Sequence, residues 1–242
     1  MIKSTAKKTD QYIARKKAPK KSYPDIILIF LLIIPLLFLF WSKNAKKTII
    51  QDANLPPLAM SGGDPYIRAL MLTISASESN HNNSYFLLYG GSHVHDLTKH
   101  PNKCIPIKIG PNQGQCSTAA GRYQFLTYTW REKAAKYHPN PKKTQHGISY
   151  SFEPKYQDIV VYRWLKDHHH WELDLVTLLK EDRVEDVLTH LSDVWTSLGG
   201  GIEDNSMTPH LPQIYRHFLA KELESMSAYS GFQVGEVSSN GK

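Results

Sequence analysis

The sequence predicts an α+β domain, mainly helical with a small antiparallel β lobe, preceded by one transmembrane helix. Three observations lead there. An uncharged run rich in Leu, Ile and Phe fills residues 26–41. A helical 3.6-residue pattern opens at Asp64 and returns from Thr127 onward. Between these, residues 83–124 hold short apolar runs punctuated by glycine and proline, as strands joined by turns do.

With 242 residues, 41% of them hydrophobic, the chain can bury one good core. Its formal charge of +7 sits wholly in residues 1–24, where eight Lys/Arg face one Asp; the remaining 21 bases and 21 acids cancel. A nucleic-acid-binding domain gathers its charge on a folded face, so no nucleic-acid partner is expected.

The basic tail, 1–24, leads into Ile26 to Trp41, sixteen residues without a charge, broken only by Pro35. A bilayer needs ~20 residues of helix, ~17 at the low end, so Tyr23, Pro24 and Ser42 must contribute. The residues that follow, Ser42 to Lys47, carry no small-x-small cleavage site, which favours an uncleaved anchor over 25–42. Eight bases before it and three after it orient the chain: N-terminus in the cytoplasm, the rest on the periplasmic side of the inner membrane. The alternative, a buried core helix, fits poorly with a basic tail ahead of it.

A linker, 43–63, follows, with Pro56-Pro57 and Ser61-Gly62-Gly63, a composition that punctuates and does not pack. The folded domain is expected over 64–225. Asp64 suits an N-cap and Pro65 the first helical position; Ile67, Leu70, Met71 and Ile74 then form one apolar stripe and bring Glu78 to the helix end. Tyr85–Tyr89 before Gly90-Gly91, and Ile105–Ile109 before Gly110, read as strands. Helices are expected near 127–137, from Glu153-Pro154, and from Arg183 with Val184, Val187, Leu188, Leu191, Trp195 and Leu198 inward. Residues 226–242 read as a polar, frayed tail.

Several blocks within 64–205 then carry a resemblance. Ser77-Glu78, Tyr85 to Gly90-Gly91, Asp96 with His100-Pro101, the run Ser117-Thr118-Ala119-Ala120-Gly121-Arg122-Tyr123-Gln124, Gln157-Asp158 and Val194–Leu198 follow in order. Together they resemble the lytic transglycosylase endolysins of the lambda phage type, whose fold is lysozyme-like and which cut the glycan strand of peptidoglycan. The resemblance implies a catalytic Ser-Glu pair at Ser77-Glu78 and a peptidoglycan partner. It also departs: Gly199-Gly200-Gly201 stands where the family has Pro-Gly, Ser79 follows Glu78 where the lambda-type protein has glycine, and the anchor has no counterpart in the soluble phage enzymes.

The chemistry can be argued from residue types as well. Breaking a glycosidic bond requires a proton on the departing oxygen, which a carboxylic acid kept protonated can give. Glu78, at a helix end beside apolar side chains, suits that role. A hydrolase adds a second carboxylate; Asp96, the one acid between Glu78 and the 117–124 run, is the candidate, with a turn role as the alternative. A transglycosylase needs none, because the C6 hydroxyl of the same sugar attacks; that product is what the resemblance implies. Ser77, Tyr85, Ser117, Thr118, Gly121, Tyr123 and Gln124 are the candidates for substrate contact. Tyr123 could equally be core, Ser117 and Thr118 caps or turns, and Arg122 reads better as an internal ion-pair partner.

Neither His93-x-His95 nor His168-His169-His170 has the spacing of a zinc site, and no phosphate loop or nucleophile elbow appears, so no metal or cofactor is expected. Cys104 and Cys116, twelve apart and on the exported side, are expected to form a disulfide. Closing such a loop contributes on the order of 3 kcal/mol. The reading that results is a membrane-tethered peptidoglycan-cleaving enzyme, acting in lysis or opening the wall for an envelope-spanning assembly. Two others stand beside it: an endolysin activated by release of its anchor, and a non-catalytic glycan-binding module.

Overall fold

The computed structural model describes residues 55–239 apart from 111, 146 and 201–204, and within 228–239 the backbone alone. The basic tail and the expected anchor over 26–41 lie outside the described residues. Among the described residues, no helix is long and apolar enough to cross a membrane.

Helix α1, Pro65–Glu78, starts as the sequence predicts. The Asp64 carboxylate accepts from the amides of Tyr66 (3.0 Å) and Ile67 (3.3 Å), and Pro65 occupies the first turn, where no N–H is missed. Ile67, Leu70, Met71 and Ile74 are fully buried, and so are Ala69, Thr73, Ser75 and Ala76. A helix covered on nearly every side is the axis of its domain. The long helix α7, Leu211–Ser239, lies along it, fastened by Arg68 to Glu222 at 2.6 Å.

The lobe after α1 is less regular than expected. Tyr85–Tyr89 is not a strand but two 3₁₀ turns, Ser84–Phe86 and Tyr89–Gly91, joined to their surroundings by the single bridges Leu87 to His93 and Leu88 to Ala120. Gly90 and Gly91, at φ +78° and +93°, reverse the chain before a ladder can extend. The second expected strand shrinks to β1, Ile105–Pro106, antiparallel to β2, Cys116–Ser117. Pro106 has no N–H to donate, which limits the ladder. Cys104 and Cys116 form the expected disulfide, Cα to Cα 5.3 Å, at the root of the loop.

The helical half follows the sequence, except that the helix expected to carry Trp195 and Leu198 ends at Leu191 and gives way to turns. It comprises α2 (Thr127–Tyr137), α3 (Pro154–Leu165), α4 (His168–Trp171), α5 (Leu175–Lys180) and α6 (Val184–Leu191). The six apolar residues picked out from Val184 to Leu198 are all buried. An unanticipated exposed hairpin, β3 (Lys142–Thr144) with β4 (Gly147–Ser149), interrupts it. The expected frayed tail is also revised: α7 runs through it to Ser239, carried by the good helix formers Ala220, Lys221, Glu222, Leu223, Glu224 and Met226.

The linker is revised more deeply. Its last stretch, residues 55–60, lies on the domain as a strap, with Leu58 and Met60 buried in the core. Its backbone is held by two buried side chains. Arg122 donates to the carbonyls of Pro56 (2.9 Å) and Pro57 (3.1 Å); one oxygen of Asp158 accepts from the amides of Ala59 (2.6 Å) and Met60 (3.2 Å).

One local motif recurs. In His100-Pro101-Asn102 and His138-Pro139-Asn140, the imidazole Nε2 donates to a distant carbonyl, Phe125 at 2.7 Å and Ser151 at 3.1 Å, while Nδ1 accepts from the amide two residues on. Both rings are buried and neutral. Burial drives the His100 pKa down to about 4 and that of His138 below its usual value. A histidine with a depressed folded-state pKa stabilises the fold fully above about pH 6.5, and that contribution is lost as pH falls toward 4. Asp158, whose carboxyl burial pushes up, acts in the opposite sense. Urea titrations are therefore expected to show the native chain losing about 2–3 kcal/mol through His100 between pH 7 and pH 4.5. His100→Gln should lack that loss; an unchanged pH dependence in the variant would refute the assignment.

Candidate active site

Glu78 ends α1, and the sequence explains why the helix stops there. Ser79 leaves helical geometry at φ −152°, its amide still bonded to the Ser75 carbonyl at 2.8 Å, while its hydroxyl donates to the Arg122 carbonyl at 2.5 Å. Ser79 thus ties the end of α1 to the 117–124 run.

A cleft of about 600 Å³ opens beside Glu78. One wall is the loop between β1 and β2, with Ile107, Asn112, Gln115, Cys116 and Ser117; the floor includes Tyr123, Phe125, Trp164 and Trp195; Val194, Ser197 and Asn205 close the far side. Among the described residues, Glu78 is the sole carboxylate lining it. Its Oε1 accepts from the Ser197 hydroxyl at 2.5 Å, and Ser77 Oγ donates in turn to Ser197 Oγ at 2.7 Å. The Ser197 carbonyl accepts from Thr208 Oγ1 at 2.8 Å, and Asn205 donates to the Ser77 carbonyl at 3.0 Å. A chain of hydroxyls from α1 and the 194–198 segment therefore fixes one oxygen of the carboxylate.

The sequence-predicted residues divide. Ser77, Glu78, Ser117, Tyr123 and Gln124 line the cleft. Tyr123 is also core: it is fully buried, and its hydroxyl donates to Asp158 at 2.7 Å. Gln124 stands at φ +45°, its Nε2 bonded to the Gly121 carbonyl at 2.9 Å.

Four candidates lie outside the cleft lining. Tyr85 is turned inward; its buried hydroxyl joins Ala59, Arg122 and Asp158, and burial together with the Asp158 charge raises its pKa. Thr118 accepts from the Thr127 amide at 3.1 Å and so caps α2 across the lobe. Gly121, at φ +74°, is buried against Gln157 and Phe152, where a Cβ would overlap both. Asp96 is a turn residue outside the cleft lining: its Oδ1 accepts from the Thr98 hydroxyl at 2.6 Å and amide at 2.9 Å, bonds that hold its carboxyl below the usual range.

Ser197 is the residue sequence reading passed over, although the Val194–Leu198 block containing it was singled out. Its signal was weak, a lone hydroxyl between apolar neighbours. Arg122 is internal as expected, buried over the Tyr85 ring at 4.9 Å, but it bonds two carbonyls and the Tyr85 hydroxyl and forms no ion pair among the described residues.

The site thus consists of a helix-end glutamate on an open cleft of about 600 Å³. A model of the endolysin family matches residues 68–221. The chain belongs to that family. Among solved structures it is similar to bacteriophage lambda lysozyme complexed with a chitohexasaccharide: 21% identity, 66% of this chain and 97% of that one covered, TM-score 0.47. A second structure of lysozyme from bacteriophage lambda matches at 21% identity over 68% and 96%, TM-score 0.43. No curated protein matches.

Because Asp96 spends its carboxylate on Thr98, Asp96→Asn is expected to leave glycan-strand cleavage within about twofold of native. A loss of two orders of magnitude or more, the scale of a missing general base, would restore it as a second carboxylate.

Proposed function

We propose that the protein is a peptidoglycan lytic transglycosylase that cuts the β-1,4 bond between MurNAc and GlcNAc, with Glu78 as both acid and base. The observation that carries this reading is the placement of Glu78: it is the one carboxylate among the described residues that line the cleft, and one of its oxygens is fixed by Ser197. Family membership and the 117–124 run beside the cleft support it.

In the first step the Glu78 carboxyl gives its proton to the glycosidic oxygen as the bond to the anomeric carbon breaks, so the leaving sugar departs as a neutral alcohol. The same carboxylate, now ionised, takes the proton of the C6 hydroxyl while that oxygen bonds to the anomeric carbon. A 1,6-anhydro sugar results, no water is consumed, and Glu78 regains its proton. The lone carboxylate among the described lining residues favours this route over hydrolysis, which ordinarily engages two. Ser117 and Gln124, both partly exposed, offer polar groups for sugar substituents, over the buried rings of Tyr123, Phe125 and Trp195.

The uncharged run over 26–41 and its basic approach give the rest: the enzyme is held on the inner membrane with its domain on the periplasmic side, and the tether confines cutting to a local zone of wall, as an envelope-spanning assembly requires. The Cys104–Cys116 disulfide fits an oxidising compartment.

Mass spectrometry of fragments released from purified peptidoglycan by the full chain in detergent tests the mechanism. Anhydro-muropeptides are expected from the native chain, and at about 10³-fold lower rate or not at all from Glu78→Gln. Fragments heavier by one water would make the enzyme a hydrolase; none from the native chain would leave a binding module.

A further inference from the structure

The strap over residues 55–60 lies outside the span matched by the family model, yet two of the largest commitments of buried polarity in the domain are made to it. Arg122 and Asp158 are fully buried. Three bonds of Arg122 go to the Pro56 carbonyl, the Pro57 carbonyl and the Tyr85 hydroxyl; Asp158 accepts from Ala59, Met60, Tyr85 and Tyr123. The strap therefore supplies four of the hydrogen-bonding groups that satisfy this pair.

The same two residues reach the cleft. Asp158 holds the hydroxyl of Tyr123, a buried residue of the cleft lining whose carbonyl accepts from Trp195 Nε1 at 3.1 Å. The Arg122 carbonyl takes the Ser79 hydroxyl that fixes the end of α1, one residue from Glu78. A displacement of either side chain is thus transmitted through one hydrogen bond to the floor and through one backbone link to Glu78.

We propose that the strap is a working part of the active site: seated on Arg122 and Asp158, it positions Tyr123 and Glu78, and catalysis as well as folding requires it to be seated. Ala59, Arg122 and Asp158 are positioning residues, acting on the glycan through Tyr123 and Glu78. The inference rests on the reading of Glu78 as the acid. It also moves the start of the catalytic unit from Asp64 back to Leu55, so a piece cut at 64 would lack part of its own site.

The test uses the full chain in detergent. Ala59→Pro removes the one N–H that serves both Asp158 and Tyr85 while the exposed Ala59 side chain touches nothing essential; Ala59→Ser keeps the N–H. With native far-UV circular dichroism, Ala59→Pro is expected to lower kcat roughly tenfold to a hundredfold with KM changed less than about threefold, the scale of a small misplacement of reacting groups. Ala59→Ser should match native. A purely structural role would act through stability alone, so Val184→Ala, in α6 and outside the cleft lining, serves as the control: at a comparable fall in Tm it should keep the native kcat.

A folded Ala59→Pro with native kcat would overturn the proposal, as would a Val184→Ala that loses kcat in parallel with Tm. Should Ala59→Pro fail to fold, Tyr85→Phe takes its place, deleting the hydroxyl shared by strap and pair. A fall in kcat with faster hydrogen exchange at the Ala59 and Met60 amides supports the positioning role, and native kcat sinks it. An inactive native chain would instead overturn the reading of Glu78 on which the inference rests.

Discussion

A carboxylate and a guanidinium buried together dominate the energetics of this domain. Neither Asp158 nor Arg122 has measurable exposure, and burying such polar groups is costly unless they are hydrogen-bonded, as both carboxylate oxygens and both terminal guanidinium nitrogens are here. The two make no direct ion pair; the Tyr85 hydroxyl stands between them, accepting from Arg122 at 2.8 Å and donating to Asp158 at 2.7 Å. Their partners come from four separated stretches: the strap, the turn at Tyr85, the 117–124 run and α3. The pair therefore does for the irregular lobe what a continuous sheet would do elsewhere, joining segments whose own ladders are two residues long or single bridges.

The cleft inherits its geometry from that arrangement. α1 is held by burial on nearly every side and by its cap at Ser79, so Glu78 projects from a rigid support and not from a loop. Ser77, Ser197, Asn205 and Thr208 then form a polar cluster that couples the far side of the cleft to the helix end. The opposite wall is built differently. The loop between β1 and β2 is largely exposed, with Ile109 at 85%, and relies on two short strands, a few backbone bonds such as Ile107 to Gln115 at 2.9 Å, and the disulfide at its root. One wall is thus rigid by packing and the other by a covalent link.

The helical half was legible in the sequence because its signals are local. Asp64-Pro65 and Glu153-Pro154 announce helix starts, and the 3.6-residue stripes of α1 and α6 name their buried faces. Glu78 was legible for the same reason, being where a stripe ends. The lobe was not, because what decides it is non-local: whether Tyr85 meets glycan or Asp158 depends on residues 73 positions away, and whether Asp96 faces the cleft depends on Thr98 and the path of the turn. Composition misled twice. Paired prolines and glycines suggested a linker where Leu58 and Met60 pack, and polar residues suggested fraying where α7 continues. The role of Ser197 needed the fold, since a hydroxyl gains meaning only from the carboxylate across from it.

Arg122 and Asp158 grip the strap through peptide groups alone, two carbonyls and two amides; Leu58 and Met60 pack into the core, while Pro57 and Ala59 turn their side chains outward. Substitutions there that preserve the backbone path leave the grip intact, so the letters at these positions can drift freely as long as Arg122 and Asp158 do not. Relatives of this chain could share the same seated segment with no recognisable identity across it, and would be told apart from those without one by the residues that do the holding.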